Sequence, residues 1–158
     1  MTITETKITA CDYSDPEHLQ AVADLINAYI RDEMGGGEPL SKLRQLRLAD
    51  GLQQHPASIV LLAETKGVYC GLLVAFENFS TFSVQPMINI HDLIVLKEFR
   101  GQGIGRQLMN AVVAEAGNRK CSRVTLEVRQ DNFAAQRLYR ELGFGDTEPP
   151  MFYWRKYL

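Results

Sequence analysis

Apolar positions along the chain repeat with two different periods. Leu19, Val22, Leu25 or Ile26, and Tyr29 recur at three- and four-residue steps, the spacing that gathers side chains on one face of a helix over residues 16–31. Asp15-Pro16 supplies its start, an N-cap residue followed by proline at the first helical position. A second helix is expected over 41–54, carrying Leu43, Leu46 and Leu52 and ended by His55-Pro56. Between them Gly35-Gly36-Gly37 and Pro39 remove helix propensity and a backbone donor, so 32–39 reads as a mobile loop.

Strand signals occupy most of the rest. Residues 7–11 form an opening strand, and 59–65 and 69–76 form a hairpin joined by Lys66-Gly67. Phe79-Ser80-Thr81-Phe82 is a further aromatic edge, and 88–96 is a long apolar strand running into a glycine-rich turn. A helix over 104–119 places Ile104, Leu108, Ala111 and Val112 on one face; 124–128 is a short buried strand. Residues 132–142 are helical again, Gly143-Phe144-Gly145 stops that helix, and 151–157 offers a last strand. The order β-α-α-β-β-β-α-β-α-β is α/β organisation around a mixed sheet.

Composition narrows the class. At 158 residues, 46% hydrophobic and 23% charged, the chain reads as one globular domain over 1–158, without repeats or low-complexity segments. The longest near-continuous apolar stretch, 68–76, contains Gly71 and falls far short of the roughly 20 residues that span a bilayer. No membrane association is expected, and Met1-Thr2-Ile3-Thr4-Glu5-Thr6 lacks the basic start and apolar core of a secretory signal, so a cytoplasmic location is expected. Cys11, Cys70 and Cys121 form no C-x-x-C pair, and His18, His55 and His91 are scattered, so neither a disulfide framework nor a metal site is expected.

The net charge of −2 gives no general reason to bind nucleic acid. It is unevenly placed: residues 1–80 carry 6 basic and 11 acidic side chains, residues 81–158 carry 11 basic and 8 acidic. The second half suits an anionic ligand. The first suits a cationic one, although solvated surface charge explains the imbalance as well.

The second half also holds an anion-binding pattern. Arg100-Gly101-Gln102-Gly103-Ile104-Gly105 lies between a strand and a helix, where free backbone N–H groups and the helix dipole together hold a phosphate. Arg100 can add a charge-assisted hydrogen bond. A P-loop is excluded because Arg106-Gln107 follows Gly105, so both the lysine and the magnesium hydroxyl are missing. A dinucleotide fingerprint is disfavoured because the third glycine comes one position early.

That phrase resembles the (R/Q)-x-x-G-x-(G/A) pyrophosphate loop of the GNAT superfamily of N-acetyltransferases. Asn132-Phe133-Ala134-Ala135-Gln136-Arg137-Leu138-Tyr139-Arg140-Glu141-Leu142-Gly143-Phe144 is similar to the superfamily's N-x-x-A-x-x-L-Y-x-x-x-G-F helix and exit. The order of elements also matches. Phe79-Ser80-Thr81-Phe82, followed by Ile90-His91-Asp92-Leu93-Ile94-Val95, looks closest to the small diamine or polyamine acetyltransferase-like members.

The resemblance implies a GNAT-like acyl-CoA N-acyltransferase fold and acetyl-CoA as co-substrate without a metal. Leu93, Ile94 and Val95 would pair their backbone with the pantetheine arm. Arg100, Gly101, Gln102, Gly103, Ile104, Gly105 and Arg106 would hold the pyrophosphate, with Asn132 and Ala135 bordering the cofactor. By spacing alone Tyr139 reads as a packed tyrosine; the resemblance makes it the hydrogen-bond or proton donor to the departing thiolate. His91, Asp92 or a water serves as base for the amine, and strand alternation sends the two side chains to opposite faces. The acceptor implied is a di- or polyamine or another small amine, with Asp32, Glu33, Glu38 and Asp92 as attracting charges. Amino acids, antibiotics and protein N-termini are the alternative acceptors, and a non-catalytic acyl-CoA sensor or a nucleotide-binding oxidoreductase the alternative classes. Homodimerisation, common among similar proteins, is an expectation carried by the resemblance alone.

Overall fold

The computed structural model describes residues 5–158. Residues through Glu127 form one compact unit and Val128–Leu158 another, and each is described by itself.

In the first unit the elements are β1 (Thr6–Ala10), α1 (Pro16–Ile30), α2 (Lys42–Gln54), β2 (Ser58–Thr65), β3 (Val68–Ser80), β4 (Gln85–Val95), α3 (Ile104–Asn118) and β5 (Val124–Leu126). The five strands lie in the order β1-β2-β3-β4-β5. Four of them are antiparallel, and β5 joins β4 in parallel, so the mixed sheet that was expected is mostly antiparallel.

Local chemistry explains the boundaries. The Asp15 side chain accepts from the Glu17 amide and Pro16 opens α1, while Ser41 caps α2 through the Arg44 amide. The β2–β3 hairpin turns through Lys66 (φ 53°) and Gly67 (φ 76°), both left-handed, the combination whose twist matches the flanking strands. One sheet face carries Val60, Leu62, Leu72, Val74 and Ile94, packed with Ala21, Val22, Leu25 and Leu52 of α1 and α2. The other face meets α3, whose Ile104, Leu108, Met109 and Val112 are fully buried. Gly71 of β3 allows that approach: a Cβ there would stand 3.0 Å from Leu108 and 3.1 Å from both Ile104 and Ala63.

Three expectations are corrected. Phe79 and Ser80 are not a separate edge but the end of β3, which runs 13 residues because β4 pairs with it as far as Gln85. Strand β5 is half-buried, at a sheet edge, and stops at Leu126.

The third correction lies in the second unit, which contains α4 (Phe133–Glu141) and no strand. The apolar run 151–157 has strand propensity, but a strand exists only where a ladder partner accepts its backbone. Its side chains pack locally instead, with the Phe152 and Trp154 rings stacked at 6.1 Å and Arg155 above Tyr153 at 5.6 Å. The observed order is therefore β-α-α-β-β-β-α-β-α.

Replacing Gly71 with valine is expected to lower stability by about 1–3 kcal/mol through overpacking under α3. Urea unfolding of the two proteins tests this, and superimposable transitions would contradict it.

Candidate active site

The turn before α3 has the backbone geometry that an anion site would need. Beyond a single 3₁₀ turn at Lys97–Phe99, Gly101 (φ 75°) and Gly103 (φ 80°) take left-handed conformations that side-chain-bearing residues rarely adopt. A Cβ at either would meet nothing within 4 Å, so backbone geometry and not crowding demands glycine, and the space above the turn is open. Gly103 is the N-cap of α3 and brings no side-chain oxygen, leaving the helix's first N–H groups directed at that space.

Arg100 already has protein partners. Its Nε donates to the Val95 carbonyl at 2.9 Å and its Nη2 to Asp32 Oδ2 at 2.6 Å. The Met34 amide, then Arg100, hold the Asp32 carboxyl below the usual range. Asp32 is thus joined to the glycine turn, and of the loop's three acidic residues only Glu33 and Glu38 are exposed.

Strand β4 contains an irregularity that the sequence does not show. Val74 stands opposite Asp92 and Ala75 opposite Ile90, so His91 is an extra residue, a β-bulge. Directly opposed residues share a face, which puts Asp92 on the α1/α2 face with Val74. The His91 ring meets Phe76 edge-on at 5.6 Å, and Phe76, two residues from Val74, lies on that same face. The bulge therefore cancels the expected alternation and brings His91 and Asp92 to one side. His91 is exposed; burial pushes the Asp92 carboxyl up, partly offset by the charge of His91.

Beyond the bulge β4 also loses its second neighbour. Its pairing with β5 covers only Ile88–Val124, Asn89–Thr125 and Ile90–Leu126. From Asp92 to Val95 the strand is bonded to β3 alone among the described strands. Leu93, Ile94 and Val95, the residues expected to pair with the pantetheine arm, thus have no strand partner on that edge among the described strands, and the Val95 carbonyl accepts from Arg100. Leu93 and Ile94 point to opposite faces, Ile94 into the core.

In the second unit Asn132 caps α4, its Oδ1 accepting from the Ala135 amide at 3.2 Å. That gives Asn132 a structural task beside any contact with a ligand. Ala135 and Tyr139, four residues apart, share one helical face, while Asn132 itself lies outside the helix. The Tyr139 carbonyl accepts from the Phe144 amide at 3.0 Å and its ring lies 6.1 Å from Phe144, which ties the tyrosine to the chain that follows the helix.

Neither Cys11 nor Cys121 carries a thiol activated for acyl transfer. Burial raises the Cys121 thiol, Cys11 is pushed up to about 11, chiefly by burial, and Cys70 is buried. Among the described residues no group of histidine, cysteine and carboxylate side chains could hold a metal, and no helix is long and apolar enough to cross a membrane.

A family model described as "Acetyltransferase (GNAT) family" matches residues 22–144. The chain belongs to the GNAT acetyltransferase family. It is 29% identical over 129 residues to an uncharacterised N-acetyltransferase, YhfO, of Bacillus subtilis, covering 78% of this chain and 81% of that one. An aminoglycoside N(6')-acetyltransferase type 1 of Salmonella typhimurium is 24% identical over 132 residues, covering 80% and 88%. The structure of aminoglycoside N-acetyltransferase AAC(6')-Iy in complex with CoA superimposes with a TM-score of 0.77 over 97% of this chain and 96% of that chain, at 20% identity. The fold and the N-acetyltransferase class inferred from the glycine turn and the α4 phrase are thus borne out.

Three features of the site lay beyond the sequence reading. His55, at the end of α2, meets Phe76 at 5.0 Å, so one phenyl ring stands between two imidazoles. The bulge itself has no local signature, and the Asp32–Arg100 pair joins residues 68 positions apart. Only the helix-ending His55-Pro56 offered a signal, and it spoke of a boundary.

A raised carboxyl pKa has a cost. The folded state keeps the Asp92 proton over a pH window where the unfolded chain has released it, so stability falls as pH rises through that window. Asp92→Asn is expected to raise Tm at pH 8 and to lose that advantage near pH 4. Parallel Tm–pH curves for the two proteins would contradict the assignment.

Proposed function

We propose that the protein transfers an acetyl group from acetyl-CoA directly to the amine of a small cationic acceptor, with di- and polyamines the first class to test. The observation that carries this reading is the β4 bulge, which puts His91 and the half-buried Asp92 on one face of the strand whose free edge leads to the glycine turn. Bound acetyl-CoA would supply the thioester, a donor already activated toward amines. The N–H groups of Gly101 to Gly105 suit its pyrophosphate, and the free edge from Leu93 to Ile94 suits its pantetheine amides.

The chain's own residues handle the protons. An alkylamine with pKa near 10 is almost wholly protonated at neutral pH, so a base must take one proton before attack. A carboxyl pushed upward by burial is a better proton acceptor than an ordinary aspartate, and Asp92 serves in this way, directly or through water, with His91 beside it. Tyr139 donates a hydrogen bond to the departing sulfur, a role the α4 phrase supports. A phenol is ordinarily a weaker acid than a thiol, roughly 10 against 8.5, so hydrogen-bond stabilisation rather than full proton transfer is the role assigned to it. The raised thiol of Cys121 supports direct transfer over an acyl-enzyme.

A charged acceptor is drawn by Asp92, Glu33 and Glu38 and not by Asp32, whose charge is met by Arg100. The relatives include an aminoglycoside N(6')-acetyltransferase, in keeping with a small amine acceptor.

Thiol release from acetyl-CoA is expected with spermidine or putrescine, and turnover with a peptide N-terminus alone would overturn the acceptor class. Tyr139→Phe is expected to lower kcat about 10²-fold while the CoA Kd changes less than twofold; equal turnover would remove Tyr139 from the chemistry. Cys121→Ala is expected to keep full activity, and an isolated acetyl-Cys121 would refute direct transfer.

A further inference from the structure

The segment between α1 and α2 is held at both ends. At its start the Asp32 amide donates to the Tyr29 carbonyl, Asp32 Oδ1 accepts from the Met34 amide at 3.0 Å, and the Asp32 carbonyl accepts from the Gly35 amide at 2.9 Å. A Cβ on Gly35 would fall 1.8 Å from the Tyr29 carbonyl oxygen, so this tight reversal requires glycine. At its end the buried Asn27 side chain accepts from the Leu40 amide at 2.6 Å. Gly36 and Gly37 thus lie between two fixed points.

The first of these points rests on the glycine turn. Asp32 Oδ2 receives Arg100 Nη2 while Arg100 Nε holds the last carbonyl of β4. The Asp32 side chain is 19% exposed and that of Arg100 49%, so solvent reaches the pair from the arginine side while the carboxylate is largely covered. Lys97 adds a second positive charge near the carboxylate. One guanidinium therefore connects the end of β4, the anion-binding turn and the α1–α2 segment.

We propose that Asp32 and Arg100 are a positioning pair that fixes the α1–α2 segment against the glycine turn, so that acceptor recognition by this segment depends on an arginine of the cofactor loop. The part concerning the acceptor rests on the acetyltransferase reading above. Asp32 acts through Arg100 and through the loop, and does not itself touch the amine.

Asp32→Asn isolates the effect, because an asparagine oxygen still accepts from the Met34 amide and keeps the local turn while the charge pair is lost. In amide hydrogen exchange followed by NMR, protection of Met34 and Gly35 is expected to fall about fivefold in Asp32→Asn and in Arg100→Gln, and no further in the double variant. With the acceptor found by thiol release, Asp32→Asn is expected to raise its KM several-fold at near wild-type kcat, without weakening the CoA Kd. Unchanged protection, additive losses in the double variant, or an unchanged KM would each overturn the proposal. The exchange measurement needs no turnover, so absence of any amine substrate would strike the functional reading and leave the pair to be judged on protection.

Discussion

Strand β4 is hydrogen-bonded to β3 along its length but to β5 over only three residues, and the geometry of the candidate site follows from that asymmetry. A strand inside a sheet has no backbone groups to offer a ligand, whereas an edge strand offers a full row. Here the edge is opened only in the second half of β4, after the bulge, while the first half stays covered by β5. The unpaired row is therefore short, and it ends at the glycine turn. Had β5 continued in register beyond Leu126, the same residues would form an ordinary buried strand.

The bulge adds a second consequence. One extra residue in β4 shifts the parity of everything after it, so that His91 and Asp92 share a face and Ile94 still reaches the core. The Asp92 carboxyl is desolvated by burial, with the charge of His91 a partial offset, an arrangement that disfavours its ionised form. Charge is sorted along the same strand. Asp92 lies at the bulge, whereas the end of β4 meets the glycine turn and the α3 N-terminus, whose backbone N–H groups suit an anion. The acceptor and donor halves of a transfer reaction need that separation.

Much of this was legible in the sequence because the signals were local. Asp15-Pro16, Ser41 and the Lys66-Gly67 turn act within a few residues, and their boundaries agree with the structure to within one or two positions. The glycine turn was legible for the same reason, since positive φ at Gly101 and Gly103 is a property of those residues. What stayed hidden depends on partners far along the chain. The bulge at His91 is a mismatch between two strands, the Phe76 contacts bring together α2, β3 and β4, and Arg100 finds Asp32 across 68 residues. The strand expected at 151–157 failed for the converse reason: its propensity is local, but a ladder is not.

The most direct test of the account is the response of backbone amides to CoA. In a ¹⁵N-labelled sample titrated with CoA, the largest shift changes are expected at Gly101, Gln102, Gly103 and Gly105 and along the free edge from Asp92 to Val95, with residues 88–90 little affected. Saturable binding that leaves the turn and this edge unmoved, or the absence of binding at millimolar CoA, would contradict it.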